Sequence, residues 1–552
     1  MIFVVARSEA SKQRFIERNP HIAEQCSFLL NETSYFEVIN RVVEEAEDDF
    51  PLIVHDDLFF PKKFATLLEQ LIRCLEGRWP NWGICGNSGM LAYGVGPSVT
   101  RVVRYISDPH GGVNCQGIIF PAQSIDGNVI LLNRRRLRER AVVVPSFPGF
   151  QLYDLSLAVE VLRAGLCVLI SPSLACHHDS GGSQAMFDAA TETTWAKEYF
   201  SQRITNKALA TINGCISLPF DPSFGSGKID LEMQSLRNAT IGRNTKKVAI
   251  VVRSLFNRPS LLRRALETVR SFVIAAGPAV RFEVAVATHD DLTPPPWVEE
   301  YAIVRKFRTN GLLDTRALLV RASVETIDAD YFWFVDDDDW LFPNEAERIA
   351  SILNISEPPA VVFMDSAHFL EEIEEDAAPI GGRYVGRLSR RFEAKNWPLG
   401  FGGANHIPFC GFVFHRSAIE DVPLDDLTLF EDYAIQLSAL NRPECIQYTV
   451  EKLVAGISIR ASGNTVTLED RTAWDRCAAE VTSMMAARRL MPGIFALGNL
   501  TPPPVPSERP PEQCRLSRSE QKLLRNYRAL KRGIQRVIDG MRRKRAKRRD
   551  GD

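Results

Sequence analysis

The sequence predicts an α/β protein: two tandem domains built on mainly parallel sheets, followed by a basic C-terminal helix. Three observations predict it. Short apolar runs alternate with helix-periodic segments, which is the rhythm of a parallel sheet covered by helices. Acidic motifs fall where those runs end. The densest is Val335-Asp336-Asp337-Asp338-Asp339-Trp340-Leu341-Phe342-Pro343, directly after the apolar Tyr331-Phe332-Trp333-Phe334, and Val54-His55-Asp56-Asp57-Leu58-Phe59-Phe60-Pro61 is a shorter counterpart. Finally, the spacing repeats: Asp154 follows Asp56 by 98 residues and Asp432 follows Asp336 by 96. Two acidic strand ends, each followed at nearly the same interval by an aromatic-acid motif opening a helix, argue for duplication.

At 552 residues and 45% hydrophobic, the chain exceeds what one core can organise and divides into domains of roughly 200 to 250 residues plus extras. The spans are 1–200 for the first domain, 201–245 for a linker, 246–495 for the second domain, 496–514 for a Pro-rich spacer and 515–552 for the basic helix. The formal net charge of -2 conceals a segregation: residues 515–552 hold 15 Lys/Arg against 4 Asp/Glu, a tail of +11 that leaves -13 on the rest. None of the 11 cysteines forms a Cys-x-x-Cys pair. With no leader-like start and no apolar run near the ~18 residues that span a bilayer, reduced thiols in a cytoplasmic protein are expected.

In chain order, Ile2 to Ala6 reads as a buried strand, Phe36 to Val43 as a helix, and Leu52 to Val54 as the strand that delivers His55-Asp56-Asp57. Val129 to Leu132 is a strand, Leu155 to Ala164 a helix, and Leu166 to Ile170 a strand ahead of Cys176-His177-His178-Asp179-Ser180-Gly181-Gly182. Helical material at 185–201 leads to the linker, whose most flexible composition is Pro222 to Gly227. The second domain opens on the strand Val248 to Val252 and the turn Arg253-Ser254-Leu255-Phe256-Asn257-Arg258-Pro259, with Pro at a helix start. A helix from Leu261 to Phe272, a strand from Phe282 to Ala287 ending in Thr288-His289-Asp290-Asp291, and a helix from about Asp314 to Val324 precede the acidic loop. In the tail, Leu523, Tyr527, Leu530, Ile534, Val537 and Met541 recur at steps of four and three on a strongly cationic helix.

Four adjacent carboxylates repel one another and need positive charge beside them; a divalent metal bridging a phosphate supplies it. In a nucleotide-sugar donor, Mg²⁺ or Mn²⁺ on one or two carboxylates stabilises the departing diphosphate, and Asp336 with Asp338, or Asp337 with Asp339, could hold it. The competing reading is a solvated acidic turn or a Ca²⁺ loop, and it weighs more heavily for His55-Asp56-Asp57. Glu431-Asp432 opens a helix and is either a general base or a pair of acids favoured by the helix dipole, and Asp154 has the same two readings. His177-His178 are metal ligands or turn residues. Asp290 and Asp291 are nucleoside contacts or an acidic turn.

These residues together resemble the GT-A-fold family 2 glycosyltransferases over about 248–466. Ile250 to Pro259 is similar to the family's opening strand and turn, and Asp290 or Asp291 to its nucleoside-contacting acid. Asn310-Gly311 followed by Arg316 is similar to its Asn-Gly and helix-borne Arg, Asp336 to Asp339 to its Asp-x-Asp site, and Glu431-Asp432 to its base motif. Where the family often carries a His, this chain reads Ile459-Arg460-Ala461-Ser462-Gly463-Asn464. The first domain resembles the glycosyltransferase-like group of streptomycin-biosynthesis clusters, through Ile39-Asn40, Val54-His55-Asp56-Asp57, Ile125-Asp126-Gly127, Gly149 to Asp154 and His177 to Gly181.

The resemblance implies two Rossmann-like GT-A domains and transfer of a sugar, with inversion, to a glycan or lipid-linked acceptor in surface polysaccharide or glycoconjugate synthesis. It implies Asp432, Glu431 and Asp154 as catalytic acids, and Asp290, Asp291, Arg316, Asp336 and Asp337 at the donor. Asp338 and Asp339, with Asp56, Asp57 and His178 in the first domain, are the expected metal ligands. Two alternatives use the same residues: a metal-dependent nucleotidyl- or phosphotransferase, which lacks here a Gly-rich phosphate loop, and a non-catalytic carbohydrate-binding scaffold. The tail is either a solvated basic helix or a device for docking on the anionic inner face of the plasma membrane. With one aromatic, Tyr527, among its bases, nucleic-acid binding is not expected.

Overall fold

The computed structural model describes residues 1–460 except 96–99, 110–111, 115–117, 148, 180–183, 213, 220–226, 241–244, 309–315, 356–358, 372–386, 398–404, 406, 421, 423, 425–426, 428–429 and 441–445, together with Val481. The chain divides into units at 1–499 and 500–552. Asn310-Gly311, 461–464, the Pro-rich spacer and the basic helix fall outside the described residues.

The strands that matter for the site are, in the first half, β1 (Ile2–Ala6), β2 (Cys26–Leu30), β3 (Leu52–His55), β4 (Trp82–Gly86), β5 (Ser88–Val95), β6 (Phe120–Ile125), β7 (Val129–Leu132) and β8 (Cys167–Ile170). In the second they are β9 (Lys247–Arg253), β10 (Arg281–His289), β11 (Ile303–Phe307), β12 (Tyr331–Asp336), β13 (Val361–Glu371), β14 (Phe412–His415) and β15 (Gln447–Arg460). The helices are α1 (Glu9–Arg18), α2 (Tyr35–Glu45), α3 (Tyr153–Arg163), α4 (Leu231–Ala239), α5 (Pro259–Ala276), α6 (Arg316–Thr326), α7 (Ala346–Leu353) and α8 (Glu431–Leu440).

One strand order appears twice. The first half runs β2-β1-β3-β7-β4-β8, with steps parallel, parallel, antiparallel, antiparallel and parallel. The second runs β10-β9-β12-β14-β13-β15 with the same sequence of senses. There β11 adds a further parallel strand beside β10. The chain is therefore a mixed α/β protein in which one antiparallel strand, β7 or β14, is set into an otherwise parallel order in each half, the class the sequence predicts. Strands β3, β7 and β8 are buried along nearly their whole length, which is why they read as continuous apolar runs and not as alternation.

Helix ends follow from local chemistry. Pro259 opens α5, where its missing N–H costs nothing, and Gly277 closes it at φ 67°. Helices α3 and α8 share a rarer entry: the preceding residues, Leu152 and Phe430, both adopt left-handed backbone, with φ 65° and 64°. A left-handed residue thus precedes an acid-bearing first turn at the same place in both halves, with Asp154 and Asp432 in those turns.

The halves are not separate sheets. Strand β8 pairs with β6, β6 with β5, and β5 with β15 through Tyr448 opposite Val95 and Thr449 opposite Gly94. The Tyr93 and Tyr448 rings stack at 4.4 Å across this join. Residues 201–245, read from sequence as a linker, include α4, which is built into the packing. Its Ser235 hydroxyl donates to the Ala122 carbonyl at 2.8 Å, and its Asn238 amide donates to the Leu162 and Leu166 carbonyls at 3.0 and 2.8 Å. Arg348 of α7 donates to Glu232 of α4 at 2.9 Å, tying the second half to the first. No helix among the described residues is long and apolar enough to cross a membrane.

Candidate functional site

Open α/β sheets bind ligands beyond the carboxyl ends of their parallel strands, and the acids of both halves lie there. In the second half the positive charge that Asp336 to Asp339 require comes in large part from arginines of the chain itself. Arg253, the last residue of β9, is 7% exposed and contacts Asp336 at 2.7 Å and Glu431 at 2.5 Å. Burial works against its charge, but Asp336 and Glu431 outweigh burial and raise its pKa. Arg258, ahead of α5, pairs with Asp337 and lies 2.5 Å from Asp338, and Arg460, the last residue of β15, lies 2.9 Å from Asp338. Behind them Arg264 makes two hydrogen bonds to Glu371, at 2.6 and 3.1 Å, and donates to the Asp338 carbonyl at 3.0 Å.

The four acids are not equivalent. Asp337 is 2% exposed and accepts from the Ser254 hydroxyl at 2.7 Å, and Asp339 is 7% exposed and accepts from the Ser458 N–H at 3.4 Å. Burial pushes Asp337 up to about 7 and raises Asp339 well above the carboxylate range, with Asp338 and Asp336 adding to the shift on Asp339. Asp338 is raised by the same cause, against the pull of Arg258. Asp336 is the open member, its side chain 43% exposed.

Asp432 stands in the first turn of α8. Its carboxylate accepts from the Asn405 amide at 2.6 Å and from the Tyr433 N–H at 2.7 Å. Burial, and then the neighbouring Glu431, push it up to about 7. Through Arg253 this turn and the acid loop meet at one place. Asp290 and Asp291 are exposed, just past the end of β10, with Asp290 4.0 Å from Arg308. Arg316 is the first residue of α6 and half-buried. The structure thus joins Asp336 to Asp339 with Glu431 and Asp432, and leaves Asp290 and Asp291 at the end of a neighbouring strand.

In the first half, Asp56 is taken by Arg7: it accepts from the Arg7 N–H at 2.8 Å and from the guanidinium at 3.0 Å. Asp57 faces two imidazoles. One ligand atom each of His55, Asp57 and His178 falls within 4.8 Å of the others, and this is the group of three potential metal ligands found among the described residues. His178 Nε2 and Asp57 Oδ1 lie 3.2 Å apart without hydrogen-bond alignment, both buried. Burial disfavours the Asp57 charge, but His178, His55 and Arg7 outweigh it and hold the carboxyl at about 2. Burial leaves His55 neutral, pushed down to about 4, and its Nε2 lies 2.8 Å from the Tyr153 hydroxyl. Gly127 makes that position possible, because a Cβ there would fall 2.2 Å from the Tyr153 oxygen.

Asp154 follows Tyr153 and repeats the geometry of Asp432: its carboxylate accepts from the Leu155 N–H at 2.8 Å, and burial followed by Asp126 pushes it up to about 7. A carboxyl raised from 3.8 to about 7 keeps extra protons in the folded state, so stability falls as pH rises through that window. Asp154→Asn is therefore expected to raise the stability, read by chemical denaturation, more at about pH 8 than at about pH 5, by a few kcal/mol at the upper limit. Equal gains at both pH values would show that Asp154 ionises freely.

Sequence reading missed the arginines. Arg253 ends an apolar strand and Arg264 sits among Leu261, Leu262, Ala265 and Leu266 on the buried face of α5, and a cation in either place signals a buried anion. His55 was legible only as the neighbour of the acids.

No family model matches the sequence, and no curated protein matches it. Part of the structure is similar to crystal structures of S. aureus TarS. For TarS 1-349 the TM-score is 0.29 at 14% identity, covering 45% of this chain and 68% of that one. For the same fragment in complex with UDP-GlcNAc the TM-score is 0.31 at 14% identity, covering 45% and 69%, and with UDP it is 0.30 at 14%, covering 45% and 68%.

Proposed function

We propose that the protein is a glycosyltransferase that moves a sugar, with inversion, from a nucleotide-sugar donor to a hydroxyl of a glycan or lipid-linked acceptor in surface polysaccharide or glycoconjugate synthesis. The observation that carries this is Arg253, which bridges Asp336 on the strand-end loop and Glu431 on the acid-bearing helix. This bridge supports a reading in which Asp336 meets the donor and Asp432, next to Glu431, serves as the base.

Asp432 accepts the proton of the acceptor hydroxyl as its oxygen attacks the anomeric carbon, and the bond from that carbon to the diphosphate breaks on the opposite side. The nucleoside diphosphate leaves with the electron pair. A carboxyl with a pKa near 7 suits this role, because it is ionised at working pH yet basic enough to take the proton. Asp336 and Asp338 meet the diphosphate in this reading, which the deeper burial of Asp337 and Asp339 favours. Mg²⁺ or Mn²⁺ between them and the phosphates would supply Lewis-acid stabilisation of the leaving group. Arg258 and Arg460 add fixed positive charge at Asp338. Asp290 or Asp291 contacts the nucleoside, and Arg316, opening α6, contributes to donor binding. The cationic residues of 515–552 hold the enzyme at an anionic membrane face, where a lipid-linked acceptor lies.

The full-length protein should release nucleoside diphosphate from a nucleotide sugar, UDP-GlcNAc being a first donor to try, with and without Mn²⁺. Release of pyrophosphate from nucleoside triphosphates instead would support nucleotidyl transfer. Glycan binding without turnover of any donor would leave only a scaffold.

A further inference from the structure

A fully buried ion pair stands behind the acid loop of the second half. Arg264 of α5 is 2% exposed and Glu371, the last residue of β13, is 3% exposed, and the guanidinium donates to the carboxylate at 2.6 and 3.1 Å. Such a pair adds little net stability, because stripping water from two charges offsets most of their attraction. An apolar pair could fill the same space. It could not make the other contacts that these two side chains make.

Those contacts reach three successive residues. Arg264 donates to the Asp338 carbonyl at 3.0 Å, and its guanidinium lies 4.5 Å from the centre of the Trp340 ring. Glu371 accepts from the Ser458 hydroxyl at 2.5 Å, and the Ser458 N–H in turn donates to the Asp339 carboxylate at 3.4 Å. The Trp340 ring also rests on Gly456, where a Cβ would fall 2.2 Å from it. Just beyond, the Leu341 N–H donates to the Thr268 hydroxyl of α5 at 3.2 Å and the Phe342 N–H to the Val454 carbonyl at 2.8 Å. The chain from Asp338 to Phe342 is thus held by α5 and β15. The Asp338 carboxylate, by contrast, is met by Arg258 and Arg460.

We infer that Arg264 and Glu371 are positioning residues of the proposed transferase site: they fix the backbone of Asp338 and, through Ser458, the carboxylate of Asp339, so that the Asp338 side chain meets the donor's diphosphate in one orientation. The inference rests on the reading of the second half as a transferase. Neither residue need touch the donor, since a misplacement of about 1 Å at a reacting site can cost about 10²-fold in rate.

Arg264→Lys is the deciding variant, because an ammonium keeps the charge beside Glu371 but lacks the planar fork that serves the carboxylate and the Asp338 carbonyl together. The full-length protein is assayed for nucleoside diphosphate release from a panel of UDP-, GDP- and dTDP-sugars. For the donor that wild type uses, Arg264→Lys should lower kcat/KM by about 10- to 10²-fold. The rise in rate through about pH 7 expected from Asp432 should remain, because that carboxyl is untouched. In an Asp338→Asn background the same substitution should cost little more, since its effect runs through Asp338. Ser458→Ala, which removes the hydroxyl that Glu371 holds, should act in the same direction by a smaller factor, and it serves if melting curves show Arg264→Lys unfolded. Folded variants with wild-type kcat/KM, or with losses that simply add to that of Asp338→Asn, would overturn the inference and leave the proposed function standing. A wild type that turns over none of the donors would overturn the proposed function, and the positioning role with it.

Discussion

Asp432→Asn is expected to lower the rate of sugar transfer by about 10²- to 10⁴-fold, the usual contribution of a positioned general base, and to leave donor binding nearly unchanged. Asn preserves the size of the side chain and its amide oxygen can still accept from the Tyr433 N–H, so the first turn of α8 keeps its geometry. What is lost is the ability to take a proton, together with the hydrogen bond from the Asn405 amide. The wild-type pH profile provides a second readout. Burial and Glu431 raise Asp432 to about 7, and the base works only as carboxylate, so activity should climb as pH rises through about 7 and level off above it. The residual activity of the Asn variant should lack that rise. A wild-type profile flat from about pH 5.5 to 8.5, or an Asn variant with ordinary turnover, would remove Asp432 from the mechanism.

Arg253→Met should cost about 3–5 kcal/mol of stability, read by chemical denaturation, because it strands Glu431 as a buried charge without its partner. Glu431 is 4% exposed and Arg253 7%, so neither can turn to water without moving the backbone of β9 or α8. Methionine fills a similar volume, which separates the loss of charge from the opening of a cavity. The double variant Arg253→Met/Glu431→Gln should recover part of the loss, since it removes the stranded charge as well. If the single variant is as stable as wild type, the bridge between the acid loop and α8 is not a buried ion pair, and the observation that carries the proposed function falls with it.

Much of the architecture was legible because burial leaves a trace in sequence. Strands β1, β3, β7, β9 and β12 are apolar runs, helices α2, α3 and α5 are periodic, and the turn at Arg258-Pro259 marks a helix start. The acids at strand ends could be found for the same reason: a charged residue cannot continue a buried strand, so it marks the edge where ligands bind. The near-equal spacings of 98 and 96 residues pointed to a repeated unit, and the strand orders of the two halves repeat each other.

Partners were not legible, because pattern records that a residue is buried but not what it is buried against. Arg253 meets Asp336 across 83 residues and Glu431 across 178, and Arg264 meets Glu371 across 107, distances at which no local rule operates. The left-handed entries at Leu152 and Phe430 occur at residues with no preference for that backbone, so only packing holds them. Among Asp336 to Asp339 the sequence made four equal acids, and the fold made two of them inward, one open and one clamped by arginines. By itself the sequence determined that this chain carries acidic chemistry at the ends of parallel strands in two similar halves. The tertiary structure decided which acids are buried and which guanidinium each one meets, because both depend on neighbours that come from distant parts of the chain.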